Sequence, residues 1–187
     1  MVITKDIILR GTVWRQTLER FSNFWPKDAQ PMYNLYALSI SVGIMYDKQV
    51  ENLEYDEEKD QPINVPRTVL QRHNSDLDFM FQTAILTSKL VSYSVEERLK
   101  LAFDTKCDIE FDTFDFLTKF SNFGINKLYE ISNDQPLVMM EELKKFLASS
   151  VEGYNYEMNK ITDEELGLEN FTEEDISVLI EDLSKLK

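Results

Sequence analysis

The sequence predicts an all-α protein, a compact bundle of about six helices over residues 1–150 with an acidic C-terminal helical appendage over residues 151–187. Three observations predict it. Apolar residues recur at spacings of three to five in long blocks, the period of a helix buried on one side. Ser94-Val95-Glu96-Glu97 is a capping box, in which the Ser94 hydroxyl bonds the Glu97 amide and the Glu97 carboxylate reaches back. Acidity rises along the chain: residues 1–100 hold 12 Lys+Arg and 14 Asp+Glu, residues 101–187 hold 8 and 20, and residues 151–187 hold 3 and 11. The formal net charge of −14 is therefore the average of a polarised molecule.

The elements follow in order. Leu9, Val13, Trp14, Leu18, Phe21 and Trp25 predict a first helix from about Ile8 to Phe24, stopped by Pro26. Pro31 sits in a tolerated first turn, and Leu35, Leu38, Val42 and Met45, broadened by Tyr36, Ile40 and Ile44, predict a largely buried second helix. Ser39, Ser41 and Gly43 leave room there for a close neighbour. Glu51 to Asp60 reads as an exposed acidic loop, prolonged by Pro62 and Pro66. Asn74-Ser75-Asp76 offers cap chemistry for a third helix running to about Val91. The capping box opens a short fourth helix with Leu99, Ala102 and Phe103 inward.

Phe111 to Ile131 is the most aromatic block, with Phe114, Leu117, Phe120, Ile125, Leu128 and Ile131 on one side and Asp115, Lys119, Asn122 and Lys127 elsewhere. It reads first as the core hub, with an unpaired docking face as the alternative. Gly124 within it costs about 1 kcal/mol of helix stability relative to alanine, which points to close packing. Pro136 starts a block with Leu137, Met140, Leu143, Phe146 and Leu147 apolar, ending near Gly153. Thr162 and Thr172 open two start-like patterns, after which Ile176, Leu179, Ile180 and Leu183 form a short apolar face.

Composition narrows the function. One cysteine, Cys107, allows neither an internal disulfide nor a two-thiol metal site, and a reducing cytoplasm is the expected compartment. No leader-like N-terminal run and no spanning apolar stretch is read, so no membrane partner is expected. The single histidine, His73, removes two-histidine metal motifs, and none of the five glycines falls in a phosphate-cradling pattern. No cofactor is expected.

Four constellations could carry chemistry. Asp108, Glu110, Asp112 and Asp115 begin like a calcium loop, but Thr113 occupies the position that needs glycine, so they read as a solvated helix start. His73 follows Arg67 and Arg72, which could meet phosphate or a partner's acids, and itself reads as a structural histidine. Arg10, Arg15 and Arg20 advance about 140° per step of five, so they share no narrow face and suit salt bridges to the acidic half or to a partner. Phe171, Ile176, Leu179 and Leu183 are candidate apolar anchors in the acidic appendage.

Tyr36-Ala37-Leu38-Ser39-Ile40-Ser41-Val42-Gly43-Ile44, taken with Phe120-Ser121-Asn122-Phe123-Gly124-Ile125-Asn126-Lys127-Leu128, resembles small helical accessory proteins of bacterial phosphorothioation-linked and related antiphage defence systems. The chain departs from them in having Asp47-Lys48-Gln49 where basic residues would follow the first segment. The resemblance implies a non-enzymatic subunit working with a larger nuclease or ATPase and carries over no catalytic residue.

These readings converge on a non-catalytic protein-interaction module that buries an apolar helix face against a larger partner, with Phe171, Ile176, Leu179, Leu183, Arg67 and Arg72 as partner-binding residues. Direct nucleic-acid binding is not expected, and a homo-oligomer is left open. Two alternatives stand beside it: an acidic nucleic-acid mimic that inhibits a DNA-binding protein, and an enzyme in which Asp108, Glu110, Asp112 or Asp115 holds a metal.

Overall fold

The computed structural model describes residues 3–25, 30–57, 60–104 and 107–158. Its order is β1 (Ile7–Leu9), α1 (Thr12–Phe21), a 3-10 turn (Ser22–Phe24), α2 (Pro31–Tyr46), β2 (Ile63–Val65), α3 (Arg67–Arg72), α4 (Asn74–Thr87), α5 (Val95–Phe103), α6 (Thr113–Ile131) and α7 (Pro136–Met158). The chain is mostly helical, as its periodicity predicts. Chain contacts divide it into a compact unit, Met1–Glu142, and a second unit, Leu143–Lys187, which beyond the later turns of α7 lies outside the described residues.

The centre is the α2–α6 pair. Tyr36, Ile40, Leu117, Phe120 and Ile125 are fully buried, so the aromatic block is the core hub. Each such side chain contributes about 1.5–3 kcal/mol of burial. The helices run antiparallel at backbone contact. A β-carbon at Gly43 would lie 2.7 and 2.9 Å from the carbonyl carbon and Cα of Phe120, and one at Gly124 would lie 2.7 and 3.0 Å from those of Ser39. Phe116 relays the hub outward, edge-on to Phe120 at 5.1 Å and to Phe111 at 5.2 Å, with Phe81 of α4 tilted against Phe111 at 5.7 Å. Trp14 of α1 is buried beside Tyr36, with ring centroids 6.5 Å apart.

The first helix begins later than its apolar spacing suggests. Ile7 to Leu9 pair antiparallel with Ile63 to Val65, Ile7 opposite Val65, with alternate residues inward on both strands. Gly11 then takes φ 113°, a conformation that ends the strand and that a side chain would resist. The stretch after Pro62 is likewise not wholly irregular. The Asp6 carboxylate accepts the Arg67 N–H at 2.7 Å and the Asn64 amide at 3.0 Å, so a side chain from before β1 caps α3.

The acidic stretch after Asp47 is held down where it passes α6. The Val50 N–H donates to the Lys119 carbonyl at 3.0 Å, and Asn122 donates to the carbonyls of Val50 and Glu51 at 3.1 and 3.2 Å. Lys119 bridges Glu51 at 3.0 Å and Asp115 at 2.9 Å. Asn122, placed by the helical pattern away from the core, is therefore buried as the clamp of this strap.

Candidate functional site

The hairpin of α4 and α5 leaves Phe79, Leu86, Leu90, Val95, Leu99 and Phe103 exposed. Its scaffold is local. Ser94 Oγ accepts the Glu97 N–H at 3.3 Å, and Glu97 accepts the Ser94 N–H at 2.8 Å, completing the capping box. The Ser94 N–H and the Ser94 hydroxyl, each donating to Glu97 Oε2 at 2.8 Å, hold the Glu97 carboxyl below its usual range. Arg98 then gathers the interhelical loop: Nε donates to the Tyr93 carbonyl at 3.0 Å, Nη1 to that of Ser88 at 2.8 Å, and Nη2 to that of Val91. From the other side the Lys89 N–H donates to Asp47 Oδ2 at 2.9 Å, tying the loop to the left-handed cap of α2. Gln82 reaches the Ala102 carbonyl at 3.1 Å and ties α4 to the last turn of α5.

Arg98 and Ala102 turn inward, whereas the adjoining flank of α5 at Leu99 and Phe103, and Val95 in its first turn, face solvent. Val95 is 74%, Leu99 46% and Phe103 61% exposed, and on α4 Phe79 is 69% exposed. The expectation that Leu99 and Phe103 point inward with Ala102 is thus corrected. Only Ala102 of the three is buried, because Arg98 and the small Ala102 occupy the face that packs on α4. Periodicity marked an apolar stripe but could not say which side covers it.

The other candidates are placed as follows. Arg67 is exposed at the start of α3, its Nη1 3.5 Å from the Thr4 carbonyl, and Arg72 is exposed in the last turn, five positions on and so about 140° around the helix. The structure does not bring them onto one face. Phe171, Ile176, Leu179 and Leu183 lie outside the described residues. Asp112 caps α6 by accepting the N–H groups of Phe114 and Asp115, each at 3.0 Å, and Asp115 pairs with Lys119. Among the described residues, no group of three or more His, Cys, Asp and Glu side chains is placed to share a metal ion. His73 lies between α3 and α4, stacked on Tyr33 with centroids 4.1 Å apart, and its Nδ1 is 3.2 Å from Asp76 Oδ2. Burial and the neighbouring Asp76 charge push the Tyr33 hydroxyl up to about 12.

The three N-terminal arginines diverge as their spacing predicts. Arg10 lies 5.4 Å from the Tyr55 ring, Arg15 bonds Gln61 Oε1 at 3.0 Å, and Arg20 pairs with Asp134 at 2.9 Å, the salt bridge to the acidic half. Arg20 also donates to Ser132 Oγ at 3.0 Å and lies 4.6 Å from the Tyr129 ring. It lines a cleft of about 280 Å³ with Gln16, Glu19, Tyr129 and Asp134, with its Nε and Nη1 engaged by Asp134 and Ser132. The cleft is a tie between α1 and the end of α6.

No helix among the described residues is long and apolar enough to cross a membrane. Compared with protein-family models, curated proteins and solved structures, the chain matches none.

Proposed function

We propose that the protein is a non-catalytic interaction module, an accessory subunit that joins a larger bacterial assembly through the outward face of the α4–α5 hairpin. The observation that supports it is the exposure of Phe79, Val95, Leu99 and Phe103 on a hairpin whose loop and cap are fixed by hydrogen bonds. Large apolar side chains held out on a rigid support lose little conformational freedom on binding, which favours docking. The acidic residues of 151–187, with Phe171, Ile176, Leu179 and Leu183 as anchors, and the exposed Arg67 and Arg72 supply charge-complementary contacts to the larger subunit. The sequence resemblance favours an antiphage defence assembly.

Affinity purification of the full chain from its native host tests this reading. The wild type brings down a larger subunit in fixed proportion, and Phe79→Ser with Phe103→Ser, or removal of residues 160–187, loses it. Recovery of the chain alone, or retention of the larger subunit by both variants, overturns the reading.

A further inference from the structure

We draw no further inference here: the strongest candidate, the exposed apolar surface of the α4–α5 hairpin at Phe79, Val95, Leu99 and Phe103, belongs to the site already described, and nothing in the structure shows what covers it.

Discussion

Gly124 of α6 meets Ser39 of α2 backbone to backbone, with no space for a side chain between them. Gly43 meets Phe120 in the same way four residues along each helix, so the two contacts set the spacing of the central pair. Intrinsic propensity says that Gly124→Ala should stabilise a helix by about 1 kcal/mol. Here the added methyl must push two backbones apart in a close-packed core. The expected outcome is a net loss of about 2 kcal/mol, seen as a lower denaturant midpoint with an unchanged slope. A midpoint at or above that of the wild type would show that the helices can separate freely. Gly43→Ala should behave alike, and because both widen the same seam, the double variant should lose less than the sum.

That seam was legible in the sequence because its signals are local. The small residues Ser39 and Gly43, Gly124 within an aromatic block, Pro31 at a helix start and the Ser94–Glu97 box each act within a few positions. The β1–β2 ribbon was not. Each strand has three residues, too few for a period, and pairs with a segment more than fifty positions away. The apolar set Leu99, Ala102 and Phe103 was half legible: amphipathicity reports that a helix has two faces, whereas burial, found only at Ala102, depends on which face finds a neighbour. Arg98 gave no signal, since the carbonyls that it collects belong to a loop without a motif.

Asn122 gives a second prediction. Its buried amide is bonded to the carbonyls of Val50 and Glu51, so Asn122→Ala leaves both without that donor and frees the strap from α6. We expect a loss of about 1–3 kcal/mol and faster proteolysis within residues 51–57, with cleavage elsewhere unchanged. Equal protection of that segment in the variant would mean that the Lys119–Glu51 pair and the Val50 N–H suffice to hold it.

Asp6 sets a pH dependence. Its bonds from the Asn64 side chain and the Arg67 N–H hold its carboxyl below the ordinary 3.8 in the folded protein. A lowered folded value means that the ionised group stabilises the fold above the unfolded value, and that this contribution is lost as pH falls through the folded one. Asp6→Ala should therefore melt below the wild type at neutral pH, with the difference narrowing once the pH drops under about 4. A melting difference that stays constant down to pH 2 would sink the assignment of Asp6 as an ionised cap of α3.

Arg98 carries the last prediction, because the geometry of the hairpin face depends on it. One guanidinium satisfies three loop carbonyls, those of Ser88, Val91 and Tyr93, and no single-point donor has that spread. Arg98→Met keeps most of the apolar stem but leaves the carbonyls without their donor, at a cost of about 3 kcal/mol. Arg98→Lys restores the charge and not the fork, so it should recover less than half of that loss. Hydrogen exchange separates this role from a surface charge. In both variants the amides at the start of α5 should exchange faster, because the loop that presents Ser94 to Glu97 is released, whereas those of the α2–α6 pair should keep their protection. If Arg98→Lys matches the wild type in stability and exchange, the charge alone accounts for the position and the loop holds its shape without the fork.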